Sequence, residues 1–522
     1  MSNARFIGNL LLTLTFMAFA AQFAIDFSAE NIAAACIVLT SSLAMLLYIR
    51  WTDALQSHPL STFAIFGFCM TTQLGALLVQ SATWNALSLN LWRPIETFAT
   101  LAGFQAIALV AHGAYRFFSN AAPPNKVSLV RTVLEKLGLY ATPTVGTLWN
   151  MGVIGLFSLL VGGGEGAVSK AFHGMSFVAW APFLIPIYLL QQGSSYCNAK
   201  KNYFFLLIFA SLIVLLGMAI NARGIMLAGA MTIAIFALLS AMRSTRPVKA
   251  SQLAKIGALL VVMGAISIPV TDLVTAMVIA RKARNYVSAV KMVDLTLYYF
   301  QRPQLLQAQR EKDNFIGVRS YYDEIYLASP LLGRLIETKF HDNALYFGSL
   351  VGAKGEEKMR DITGDFFWAT LPDPALKSLE IDVDKKDLKF SMGDYISHLG
   401  GGGDLGGFKT GSGFAQGNIL FGYFFPLMYL LICPILFLAQ DLLSYRSANG
   451  RVVLSTLGML GIWKLFQYGI SAESLQAIFM GVVRGLPQNI LLYLAIFHMA
   501  RLGASMLGVL AGTSRPSARL AG

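Results

Sequence analysis

The chain is 522 residues long, 56% hydrophobic and 13% charged, with a formal net charge of +13. A composition this apolar excludes an ordinary soluble globular protein. The cysteines and histidines fall at no metal-ligand spacing, so neither a structural metal nor a resident cofactor is expected.

In chain order, apolar stretches of about 20 residues recur, each long enough to cross roughly 30 Å of hydrocarbon as a helix. The expected spans lie near 6–26, 31–49, 60–80, 94–117, 141–162, 173–191, 202–220, 224–242, 254–280, 416–440, 452–470 and 487–509. The fold class predicted is therefore an all-α polytopic membrane protein of about twelve transmembrane helices. The split at 220–224 is its least marked boundary, since one long helix could run through it. The first apolar stretch, Phe6 to Phe27, is long enough for a true span and lacks a small-residue cleavage site.

Charge orients these spans. Arg116, Lys126, Arg131, Lys136, Lys200, Lys201, Arg243, Arg246, Lys249, Lys255, Arg446, Arg451, Arg501, Arg515 and Arg519 all fall on one face. The positive-inside rule makes that face cytoplasmic, with both termini on it. Opposite loops carry Asp26, Glu30 and Glu165. The expected setting is a bacterial inner membrane, and no nucleic-acid partner is implied.

Residues 281–415 interrupt the pattern. They hold 18 basic and 18 acidic residues, so this island is neutral and the basic excess lies outside it. Three regions follow: spans one to nine over 1–280, an extracytoplasmic loop domain over 281–415, and spans ten to twelve with a tail over 416–522. The cysteines Cys36, Cys69, Cys197 and Cys433 all lie outside the island, which excludes a disulfide framework there.

Within the island, Ala283 to Leu306 suggests an amphipathic interfacial helix, or alternatively the frayed end of the ninth span. Arg281, Lys282 and Arg284 beside it suit either lipid headgroups or an anionic substrate group. Helical stretches are expected around 321–338 and 341–352, then a turn at Leu371-Pro372-Asp373-Pro374 and a solvated charged run over 377–389. Six glycines within 400–407 cannot form a regular helix or strand cheaply. They point to a lid or re-entrant loop carrying Gly403, Asp404 and Lys409, with a plain linker as the alternative.

Arginine at a membrane boundary is costly unless paired or used. Arg223, in a very short turn, Arg334 on the island and Arg484 beside Gly481 and Gly485 share one face. Three converging guanidiniums would suit a diphosphate, each holding phosphate oxygens bidentately; headgroup anchoring or a structural ion pair is the alternative for each. His341 is a candidate general base on a sugar hydroxyl, with Asp342 orienting it or competing for the role. A satisfied structural histidine is the alternative. Asp361, Asp365, Asp394 and Asp404 supply further acids without selecting one.

This arrangement resembles the integral-membrane O-antigen polymerases and ligases, which handle undecaprenyl-diphosphate-linked glycans. The carriers are the Ala222-Arg223-Gly224 turn and His341, followed by residues 343–351 and then Gly352-Ala353-Lys354-Gly355. Asp342 departs from the ligase pattern, where an amide or hydroxyl is expected. Phe340 to Leu350, Ser391-Met392-Gly393-Asp394 and Gly406 to Ser412 look more similar to oligosaccharide repeat-unit polymerases. The resemblance implies metal-independent glycosyl transfer, with undecaprenyl diphosphate leaving and with a chain-length regulator and a flippase as possible partners. A ligase acting on lipid A core is the nearest alternative, and a transporter or flippase the alternative from another class.

Overall fold

The computed structural model describes residues 3–121, 129–162, 167–192, 198–247, 268–283, 286–313, 322–323, 325–327, 329, 332–371, 373–383, 385, 388–447 and 450–510. Lys126, Glu165, Cys197, Lys249, Lys255, Arg284, Pro372, Arg515, Arg519 and the 254–267 part of the expected ninth span lie outside them.

Among the described residues, nine helices are long and apolar enough to cross a membrane, and the chain is a mostly helical polytopic membrane protein. They are Asn3–Ile25, Ala29–Trp51, Pro59–Ala82, Pro94–Ser119, Ala171–Leu189, Lys200–Ala219, Arg223–Arg243, Gly413–Asp441 and Leu475–Met506. Val145–Val161 and Ile268–Ala280 are shorter apolar helices at the positions of the fifth and ninth expected spans. The doubtful boundary is real: Asn221 takes φ +50, which asparagine tolerates, and its Nδ2 donates to the Met277 carbonyl at 3.0 Å. One long helix is thereby broken into two.

Some expectations differ from the structure. The stretch 452–470 is not one span. It opens as the second strand of a small antiparallel hairpin, Ser444–Arg446 with Val452–Leu454, then forms two short helices, Thr456–Leu460 and Ile462–Tyr468. Gly461 and Gly469 punctuate it, and the Ser474 hydroxyl caps a new helix by accepting from the Ala477 N–H at 3.2 Å. The last span accordingly begins at Leu475 rather than 487.

The island is also not wholly outside the bundle. Residues 336–344 are all buried. The helix Thr338–Ser349 packs against Gly413–Phe421 and against a π-helical turn, Met70–Leu74, inside the Pro59–Ala82 helix. That turn presents two backbone carbonyls sideways. The Glu337 N–H donates to the Thr71 carbonyl at 2.8 Å, and the Thr338 hydroxyl to the Thr72 carbonyl at 2.7 Å. Thr71 sits about 18 Å along its helix, near the middle, so the island reaches roughly half-way into the bundle. The expected helix over 321–338 is absent from the described part of that range, where Leu332–Arg334 forms a single 3-10 turn.

Close helix crossings fix this packing. A Cβ at Gly67 would overlap the Phe466 carbonyl, whereas one at Gly103 would meet no atom within 4 Å. Gly67→Ala should therefore destabilise the protein by about 1–3 kcal/mol through overpacking, while Gly103→Ala should be neutral or mildly stabilising. Thermal unfolding of the two variants in detergent checks the contrast.

Candidate functional site

Asp342 is fully buried and its two oxygens receive four donors. The Trp92 N–H donates at 2.9 Å, the Arg93 N–H at 3.1 Å, the Thr97 hydroxyl at 3.0 Å and the Lys339 ammonium at 3.0 Å. The first three come from the two residues before the Pro94–Ala121 helix and from its first turn, where the positive dipole end favours a carboxylate. Lys339 shares the burial, which lowers its pKa, and Asp342 pulls it part of the way back. Around the pair, Trp92 stacks on Tyr346 at 4.0 Å and its indole N–H donates to Asn343 at 3.1 Å. A carboxylate held this way is a clamp. Its oxygens are committed to the fold, which corrects the expectation that Asp342 serves as the base.

His341 is equally enclosed, 4% exposed, between Phe68 and Phe414. Its Nδ1 lies 2.8 Å from the Ser412 hydroxyl. Burial pushes the imidazole down to about 4, so it is neutral at pH 7. It opens onto neither of the cavities described here. The residue picked out as a base is thus a packing and hydrogen-bonding element joining the island helix to the Gly413–Asp441 span.

One residue away, Phe340 lines a cavity of about 320 Å³ at the island face of the bundle. Arg223, Arg281, Glu337, Gln467 and Tyr468 line it too. Arg223 opens the Arg223–Arg243 helix, and Ala222 gives that helix no side-chain cap. Two guanidiniums and an uncapped helix N-terminus on one small cavity form an anion-binding arrangement. Glu337 is 2% exposed, and one of its oxygens accepts from the Gln467 amide at 3.2 Å. The cavity thus holds the chemistry of an oxyanion cradle and a carboxylate side by side.

The three expected arginines do not all meet here. Arg223 does. Arg334 closes the Leu332–Arg334 turn, immediately before the cavity-lining Leu335. Arg484 stands apart, on a π-helical turn Gly481–Gly485, and donates to the Thr370 carbonyl at 2.7 Å.

The glycine-rich run is stapled down, not hung as a free lid. Asp394 accepts from the Phe408 N–H at 3.0 Å and the Lys409 N–H at 3.3 Å. The Lys409 ammonium donates to Ser397 at 2.8 Å and to the Asp404 carbonyl at 3.3 Å. Gly403 and Gly406 take φ +122 and +97, conformations that exclude most other residues. The loop packs over Phe347 and Tyr322 rather than over His341.

Glu337, Gln467 and Tyr468 went unnoticed in the sequence. Glu337 stands at the N-cap of the Thr338–Ser349 helix, four residues before His341, and a carboxylate that close to the expected histidine was the available signal.

Asp342→Ala should cost about 3–5 kcal/mol, because it strands the buried Lys339 charge. Lys339→Met with Asp342→Asn should recover part of that loss in thermal-unfolding measurements. His341 makes a separate prediction. Its folded pKa lies below its unfolded value near 6.5, so stability should fall as pH drops from about 6.5 toward 4. His341→Gln should remove up to about 3 kcal/mol of that dependence, visible as a flatter melting-temperature profile over the same range. No family model, curated protein or solved structure matches the chain, so the functional argument rests on this geometry.

Proposed function

We propose that the chain is a membrane glycosyltransferase that joins lipid-diphosphate-linked oligosaccharide units into a polysaccharide, at the outer face of a bacterial inner membrane. The observation that carries this is the cavity where Arg223, Arg281 and an uncapped helix N-terminus face the Glu337 carboxylate. The cavity sits between the island and the spans, at the face opposite the basic loops. A lipid-anchored diphosphate and a soluble sugar chain would meet at that level.

The step is a displacement at an anomeric carbon. A sugar hydroxyl of one unit attacks, its proton passes to the Glu337 carboxylate, and the bond from carbon to diphosphate oxygen breaks. The electron pair departs with the polyprenyl diphosphate. Charge grows on that leaving group, so fixed guanidiniums and backbone N–H groups lower the barrier there. Glu337 takes the base role in place of His341 and Asp342, which hold its helix in register from behind. Gln467 orients the carboxylate.

The test is chain growth in proteoliposomes supplied with a lipid-linked repeat unit. Arg223→Ala should slow elongation about 100-fold or more. Glu337→Gln should slow it by 10²–10⁴ while leaving substrate binding intact. Elongation at the normal rate in either variant would overturn the assignment. Transfer to a lipid A core acceptor, without elongation, would select the ligase reading instead.

A further inference from the structure

A second, larger cavity of about 750 Å³ borders the Leu475–Met506 helix, and its charged lining residues, Lys464 and Glu473, are of opposite sign. That pairing singles out no ligand class. The Arg223 cavity says more, because Trp463 and Phe340 line it beside the charges. Among the described residues neither ring stacks on another aromatic, and the Trp463 indole N–H has no hydrogen-bond partner. Trp463 is half-buried and packs part of its surface against the main apolar core. A tryptophan so placed ordinarily gives its N–H to an acceptor. A ring and a donor left unused at a cavity suit a ligand with an apolar face and an edge of oxygen atoms.

Helix geometry sets these rings beside the polar groups. Trp463 and Gln467 are four residues apart on the Ile462–Tyr468 helix, so both project from one face. The Gln467 amide donates to the Glu337 carboxylate at 3.2 Å. Phe340 comes from the helix whose N-cap is Glu337. The two elements that bring the carboxylate and its amide partner therefore also bring the aromatic rings. A pyranose has the matching shape: C–H groups on its face and hydroxyls around its edge. The cavity volume, about 320 Å³, is near the low end of the roughly 300–1,000 Å³ of small-molecule sites. It has room for a diphosphate with one sugar, but not for an oligosaccharide.

We infer that Trp463 stacks on the first sugar of the lipid-linked donor, the one bonded to the diphosphate, and that the cavity reads the donor by that sugar alone. This inference rests on the proposed polymerisation. A diphosphate held at Arg223 and Arg281 carries its first sugar on a covalent bond, so that sugar stays within the same cavity. The sugars beyond it lie outside. As the bond to the diphosphate breaks, positive charge gathers on the ring, as it does in glycoside hydrolysis. An indole face attracts a cation more strongly than a phenyl ring does, and an aliphatic side chain lacks that attraction. Trp463 therefore acts on the transition state as well as on binding.

The experiment measures binding and chain growth in proteoliposomes with three probes: a polyprenyl diphosphate, the same lipid bearing one sugar, and the lipid bearing a whole repeat unit. Trp463→Leu should weaken both sugar-bearing probes by the same factor, about tenfold, and leave the bare lipid diphosphate unchanged. Arg223→Ala should weaken all three. In elongation, Trp463→Leu should lower kcat about 10- to 30-fold. Trp463→Phe, which keeps a ring and disturbs the packing least, should lose about threefold on the same two probes and in kcat. Equal losses for the bare and sugar-bearing lipids, no loss for any probe, or a much larger loss for the repeat unit than for the single sugar overturns the inference. A loss confined to the sugar-bearing probes, with no chain growth in wild-type protein, counts against the polymerase reading and leaves Trp463 the sugar-binding residue of a lipid-diphosphate site.

Discussion

The carboxylate of Asp342, set against the first turn of the Pro94–Ala121 helix, is the constraint on which the island-end architecture depends. It satisfies backbone donors that would otherwise face a low-dielectric interior. It also neutralises Lys339, whose buried ammonium could not persist alone. Because Asp342 sits on Thr338–Ser349 while Trp92, Arg93 and Thr97 sit on another segment, their hydrogen bonds fix that helix in height and rotation. Glu337 is then placed at the cavity and His341 turned away from it. The shape of the cavity is in this sense a consequence of a buried carboxylate a few residues along.

The π-helical turn at Met70–Leu74 supplies the other half of the attachment. A regular α-helix would offer the island no sideways carbonyls in the middle of the bundle. The widened turn offers Thr71 and Thr72, and both are taken. Polar segments enter a membrane interior only where their hydrogen bonds close internally. Residues 337 to 343 meet that condition through Thr71, Thr72, Asp342, Ser412 and Trp92. Their burial therefore follows from satisfied hydrogen bonding rather than from hydropathy.

That distinction explains what the sequence could reveal. Long apolar helices were legible because length and composition alone define them, and even the break at Asn221 left its mark in a short polar turn. The segment Thr338-Lys339-Phe340-His341-Asp342-Asn343 was not legible as buried. Its residues are those of a surface, and only partners distant in sequence make burial affordable. The same reasoning covers 452–470, where total apolarity suggested a span but Gly461, Gly469 and Ser474 imposed breaks. At the candidate site, attention fell on His341 and Asp342 and not on Glu337: charge and motif spacing locate a helix, whereas which of its residues meet a cavity depends on packing. Arg223 drew attention because a lone arginine in a two-helix turn needs a reason, and Arg484 for a similar one. That Arg223 lines the cavity and Arg484 does not could not be inferred from linear order.

The opposite end of the bundle shows why burial of polar groups does not by itself mark a site. There Ser61 donates to Asp441 at 2.6 Å and lies 2.8 Å from His112, whose other nitrogen meets the Tyr48 hydroxyl at 2.7 Å. Tyr115 donates to the same carboxylate, and Arg116 links Tyr48 to Asp53. Serine, histidine and aspartate thus stand together, yet the serine bridges the other two instead of being activated by the histidine. The aspartate does not orient the imidazole either, so the order a nucleophilic triad requires is missing. Each side chain in the set is bonded to another, which makes it a brace between segments. At the island end the corresponding network closes around Asp342, while Glu337, Arg223 and Arg281 line a cavity beside it. A site differs from a brace in having polar groups arranged around space that a ligand can fill. On that criterion the island-end cavity, and not this brace, is the candidate site.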